Sequence, residues 1–185
     1  MTTPDTLSRL HPRTAEVVQA LHDAQEEMEA LLATIPAAHR EAPATDGAWS
    51  IAQVVEHLAL VEDGSGRLLG NFIKQVRDVP ETETDAIAPT LEDQRIWDAS
   101  RSRVAPEIVS PKGQLSYEEA LSRQSAARAR LMDALVAASG CALGTVTRPH
   151  PALGTLNGYQ WALFTAQHQR RHLPQIAAIS SSLSS

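Results

Sequence analysis

Ser50-Ile51-Ala52-Gln53-Val54-Val55-Glu56-His57-Leu58-Ala59-Leu60-Val61 carries the reading that decides the fold. Ser50 followed three residues later by Gln53 is a capping box, in which each residue satisfies a backbone N–H of the other. Behind it Ile51, Val54/Val55, Leu58 and Val61 recur at helical spacing, and the stripe continues through Leu68/Leu69, Phe72 and Val76. A helix apolar along one face has to bury that face against other elements. Gly64 and Gly66 interrupt it, at a cost of about 1 kcal/mol each relative to alanine. They predict a bent or closely packed turn, or else a backbone cleared for a ligand.

The same grammar recurs outward from this segment. Pro12 suits the first position of a helix that runs to about Ile35 on Val17/Val18, Leu21, Met28 and Leu31/Leu32, with Pro36 ending it. Ser116 and Glu119 cap a third helix that extends to about Ser139, where Gly140 suits a left-handed terminus. A fourth helix starts near Asn157, with Gln160 completing its capping box. Trp161, Phe164/Thr165, His168, His172 and Ile176/Ile179 share its stripe, and Pro174 should kink it. Between the second and third helices lies a long connection, Asp78 to Leu115, in which Leu91 to Arg103 reads as a short helix. Connections of that length often carry function, and this one permits a crossover. The polar ends, Met1 to Ser8 and Ser180 to Ser185, are expected to fray. With strand signals scarce, the reading is an all-α four-helix bundle with a crossover and no sheet, one domain over residues 1–185 with an ordered core of about 10–180.

Composition narrows the function. A net charge of −6 with scattered basic residues argues against a nucleic-acid binder, which needs a clustered cationic face. The lone Cys141 excludes an internal disulfide and suits a reducing compartment. No apolar run approaches the roughly 20 residues that span a bilayer, and Met1 to Arg9 has no signal-peptide character. The expected location is the cytoplasm, away from membranes.

His168 and His172, four apart on one helix, stack one turn above each other and can address a single cation. His57 falls on the inward face of its own helix, between Val54 and Leu58/Val61. Three titratable rings on apolar stripes need partners, and a shared divalent metal supplies one to all three with a coordination position left open. Spacing alone leaves the alternative of water-bonded, half-exposed imidazoles. His11, His22 and His39 read as surface residues, whereas His150-Pro151 lies in a loop that can overhang the end of the bundle.

Two segments resemble a known family. Trp49-Ser50-Ile51-Ala52-Gln53-Val54-Val55-Glu56-His57-Leu58 is similar to the tryptophan-to-histidine segment of the DinB/YfiT-like superfamily. His150-Pro151-Ala152-Leu153-Gly154 through Trp161, then His168-Gln169-Arg170-Arg171-His172-Leu173-Pro174-Gln175-Ile176, resembles its closing segment, with Pro174 in place of the usual polar residue. The resemblance implies an up-down-down-up bundle whose second and third helices run parallel. It also implies zinc or nickel held by His57, His168 and His172, and it implies a homodimer.

It further implies a thiol S-transferase that joins bacillithiol, mycothiol or glutathione to a small electrophile. His150 and Arg171 are weak catalytic candidates, and Arg128, Arg130 or Arg171 are candidates for binding the thiol's carboxylates. The alternatives are a metal-dependent hydrolase, for which Glu56 and Glu62 are the nearest carboxylates in sequence, and a non-catalytic, stress-induced metal-binding protein.

Overall fold

The computed structural model describes residues 4–43, 45, 47–92 and 104–184. Their elements run α1 (Pro4–Ser8), α2 (Pro12–Ala33), α3 (Ile51–Val76), α4 (Pro89–Glu92), α5 (Tyr117–Ala137), strands β1 (Thr147–His150) and β2 (Gly154–Asn157), and α6 (Gly158–Ser182). The starts of the long helices are set by local chemistry. Ser50 N–H donates to Gln53 Oε1 at 2.9 Å while Gln53 N–H donates to Ser50 Oγ at 3.3 Å. Ser116 and Glu119 make the same exchange at α5, and Asn157 and Gln160 at α6. Pro12 opens α2, where its missing N–H costs nothing. Pro174 lies inside α6 without ending it.

Contacts along the helices give their directions. The Glu56 carboxylate, early in α3, accepts N–H bonds of 3.1 Å from Lys112 and Gly113 just ahead of α5. Farther along both helices Glu62 meets Arg128, so α3 and α5 run parallel. Late residues of α2 (Met28, Leu32) and α6 (Ile176, Ile179) pack with the early part of α3 (Ile51, Val54, Val55). The order is therefore up-down-down-up, made possible by the crossover between α3 and α5.

The core is two apolar clusters with a polar layer between them. One holds Val17, Leu21, Leu69, Phe72, Leu131, Leu135 and Tyr159, and the other holds Met28, Ile51, Leu58, Tyr117 and Ile176. Between them every long helix contributes a polar side chain. Arg128 grips Glu62 with two nitrogens, at 3.0 and 2.7 Å. It also donates to the Leu21 carbonyl and to Gln169 Oε1. Gln124 Nε2 donates to Glu62 Oε1 and to Gln25 Oε1, both at 2.9 Å, and Gln169 Nε2 reaches Gln25 Oε1 at 3.2 Å. Glu62 is 1% exposed and Arg128 2% exposed, so neither charge is hydrated.

Several expectations are corrected. A two-stranded antiparallel ribbon stands where no sheet was expected, pairing Thr147 with Asn157 and His150 with Gly154. It turns through Gly154 at φ +78°, and its strands are too short to show alternation in sequence. The described parts of the terminal segments expected to fray are mostly helical. Residues Pro4–Ser8 are helical, with Leu7 packed on the core, and α6 continues through Ser182, with Ser180 Oγ 3.0 Å from His39 Nδ1.

The connection after α3 is also anchored. Glu16 accepts the Ile87 and Ala88 N–H groups at 2.7 Å each, and Ile87 and Leu91 are buried. Of the helix expected over Leu91 to Arg103, only the portion ending at Glu92 lies within the described residues. A Cβ added at Gly64 or Gly66 meets nothing within 4 Å, so close packing does not account for these glycines. Among the described residues no helix is long and apolar enough to cross a membrane.

Breaking the polar layer on one side strands a buried charge. Arg128→Met should cost about 3–5 kcal/mol in urea unfolding, and Glu62→Met combined with Arg128→Met should recover a large part of it. A single variant that unfolds at the wild-type urea midpoint would show that the layer holds nothing in place.

Candidate metal centre

His57 sits in the second turn of α3, where the Ser50 cap fixes its phase, and His168 and His172 lie one turn apart in α6. The structure brings all three together. His168 Nε2 is 3.3 Å from His57 Nε2 and 3.3 Å from His172 Nε2. One ring nitrogen from each residue lies within 4.8 Å of the other two. Imidazole nitrogens around a tetrahedral ion, at about 2.0–2.1 Å from it, stand about 3.3–3.4 Å apart, which matches both Nε2–Nε2 separations.

The protons of the triad leave room for a cation. His57 Nδ1 is 2.7 Å from the Val109 carbonyl oxygen, which can only accept, so Nδ1 carries the proton and Nε2 a lone pair. His172 is held likewise, its Nδ1 2.7 Å from Gln175 Oε1. Both lone pairs face His168 Nε2, which has at most one proton to offer. At least one lone pair therefore finds no donor within the cluster. A cation satisfies all three at once, and neutral imidazole is a ligand for zinc, copper, iron and nickel alike.

Burial is the first cause of depressed basicity in each ring. It drives His168 well below the ordinary imidazole value, with the His172, His57, Arg171 and His150 charges adding to the effect. It pushes His172 down to about 4 against the opposing Gln175 bond, and it lowers His57 against the Val109 bond. Each shift favours the neutral, ligating form.

The triad borders a cavity of about 640 Å³. Two tryptophans flank it. The Trp49 ring lies 5.2 Å from that of His57, tilted by 44°, and Trp161 belongs to a chain of rings running through His150 and Phe164 to His168. His150 reaches the cavity from the ribbon and not from a plain loop, and its Nδ1 accepts the Ala152 N–H at 3.1 Å. Arg171 also lines the cavity.

The other candidates lie elsewhere. Arg128 is consumed in the polar layer, and Arg130 pairs with Asp63 at 2.7 Å on the surface. Neither lines the cavity. Glu62 is bound to Arg128, and Glu56 holds the crossover N–H groups, so both carboxylates are occupied. His11, His22 and His39 are half-buried and away from the cavity. His22 groups with Asp23 and Glu26 on the outer side of α2, with nothing further to mark a site.

Sequence reasoning missed two supports. The Val109 carbonyl comes from a turn in the crossover and has no side-chain signature. Gln175 stood in the quoted motif without a role, although its position three residues after His172 on a helix already put the two within reach.

A four-helix bundle with three imidazoles converging from its second and fourth long helices defines the class. The chain belongs to the DinB superfamily, whose profile matches residues 11–176. It is similar to TT2238, a four-helix bundle protein solved by crystallography, at 27% identity and a TM-score of 0.60 over 89% of this chain and 98% of that one. No curated protein matches the chain.

The depressed basicity of the triad gives the metal-free protein a pH-dependent stability. In the unfolded chain these histidines protonate near the ordinary value of about 6.5, while the folded rings stay neutral to lower pH. The unfolded state therefore binds more protons in that window, and stability falls as pH drops from about 6.5 toward about 4. Melting temperatures of metal-free protein should decline over this range, and less steeply for His172→Gln. Parallel declines in the two proteins would rule His172 out as a contributor.

Proposed function

We propose that this chain is a divalent-metal-dependent transferase that joins a low-molecular-weight thiol to a small electrophile. One observation carries the reading: three neutral imidazoles converge beside a cavity that no carboxylate lines among the described residues. His57, His168 and His172 would hold the metal, zinc or nickel. When bound, such an ion adds two positive charges that neutral ligands do not cancel, and it lowers the pKa of a thiol or water in its open position.

The surrounding residues favour sulfur over water as the nucleophile. Hydrolysis needs a general base within hydrogen-bond reach of the water. The carboxylates nearest in sequence, Glu56 and Glu62, are committed to the crossover and to Arg128. A thiol needs only to lose its proton, and the Arg171 charge at the cavity wall favours the anion that remains. In the transfer a sulfur–carbon bond forms and the bond from that carbon to the halogen or epoxide oxygen breaks, the electron pair going to the halogen or oxygen. The thiol's proton is released to solvent with a halide and ends on the oxygen with an epoxide. His150 accepts the Ala152 N–H at Nδ1, so the neutral ring carries its proton on Nε2 and is the candidate to hydrogen-bond the departing atom, keeping that proton. Arg171 is the candidate partner for the thiol's carboxylate.

Purified protein loaded with zinc or nickel should consume glutathione, mycothiol or bacillithiol in the presence of an epoxide or alkyl halide. His57→Ala and His168→Ala should lose stoichiometric metal and fall to the uncatalysed rate. Metal-loaded protein that consumes no thiol across this panel would refute the transferase. Gln175→Ala, which removes only the support of His172, should weaken metal binding about 10–100-fold by competition titration. Unchanged affinity would contradict that role.

A further inference from the structure

The triad accounts for only part of the cavity it borders. At about 640 Å³ the cavity is in the range of small-molecule sites, roughly 300–1,000 Å³. Most of its wall is apolar, including Val61, Leu68, Leu153, Trp161 and Phe164. Arg171 is the one permanently charged side chain lining it among the described residues, and no carboxylate is there to attract a cation.

Gly64 supplies a second, independent observation. It lies in the interior of α3, where alanine would favour the helix. Its backbone is not left-handed, and an added Cβ would meet nothing within 4 Å. Neither strain nor close packing requires a glycine there. Gly66 has the same open surroundings but does not line the cavity, whereas Gly64 does, between Val61 and Leu68. A side chain at 64 would take up cavity space, and one at 66 would not.

We infer that this cavity binds an uncharged or anionic aromatic molecule, its rings lying over the α3 backbone that Gly64 leaves bare. Tryptophan, phenylalanine and imidazole rings supply the offset and edge contacts that aromatic ligands favour. The Arg171 charge on the wall biases the site against cations, and the largely apolar lining strengthens that bias. The assignment of this molecule as the electrophilic acceptor rests on the transferase reading. Its binding chemistry does not.

Calorimetric titration of the full-length chain, with and without added zinc, tests it using naphthalenemethanol, naphthoate and naphthylmethylammonium. Naphthalenemethanol and naphthoate should bind one to one, and the ammonium at least about tenfold more weakly. Gly64→Leu should weaken naphthalenemethanol binding about tenfold or more, while Gly66→Leu leaves it unchanged. Both variants should keep the wild-type zinc stoichiometry, because neither touches a histidine of the triad. Wild-type protein that takes up zinc but no naphthalenemethanol overturns this inference and leaves the metal reading standing. Equal losses in the two leucine variants, or tight binding of the ammonium, also overturn it. Aromatic binding without zinc binding upholds the site and counts against the metal reading alone.

Discussion

Glu62 and Arg128 can leave water only if each finds the other, because an unpaired charge in an apolar core costs several kcal/mol. The pair forms between α3 and α5, and Gln124, Gln25 and Gln169 complete it from the remaining faces. Apolar packing alone tolerates sliding, since one leucine replaces another with small loss. A bidentate ion pair with directed amide bonds does not. A shift of α6 by one turn would remove Gln169 from the layer and leave the Arg128 bond to it unmade. The polar layer thus sets the register in which the helices can meet.

That register has a consequence one residue away. Gln169 follows His168 directly, so fixing Gln169 against Arg128 also fixes where His168 points. His57 precedes Glu62 by little more than one helical turn on α3, and the same constraint holds it. The crossover completes the arrangement from outside the bundle, with the Val109 carbonyl setting the His57 tautomer. Positioning therefore comes from the buried pair, tautomer control from the crossover and Gln175, and desolvation from the apolar walls. Together these keep three basic rings neutral beside a cavity.

The helices were readable because their signals are local. Capping boxes at Ser50, Ser116 and Asn157 name their own start points, and the apolar stripes supply the faces. His57, His168 and His172 were readable for the same reason, each lying on such a stripe. The ribbon over residues 147–157 was not, because each strand is only four residues long, too short to show alternation, and Pro149 sits inside the first. Arg128 and Glu62 were also misjudged. Sequence periodicity marks a position as inward, but it does not show that two inward charges face each other across helices sixty-six residues apart in the chain. Gly64 remained ambiguous until its surroundings were visible, since bending, packing and clearance leave the same letter in the sequence.

The chemistry follows from what surrounds the rings as much as from the rings themselves. Neutral ligands preserve the charge of an ion they hold, and among the described residues no carboxylate lines the cavity while Arg171 does. The central claim is that His57, His168 and His172 form one coordination sphere. X-ray absorption at the metal edge of the full-length, zinc-loaded protein tests it most directly. The account predicts three imidazole nitrogens at about 2.0–2.1 Å, with the multiple scattering that imidazole rings produce. A first shell of carboxylate and water oxygens alone, or a sulfur shell from Cys141, would contradict it.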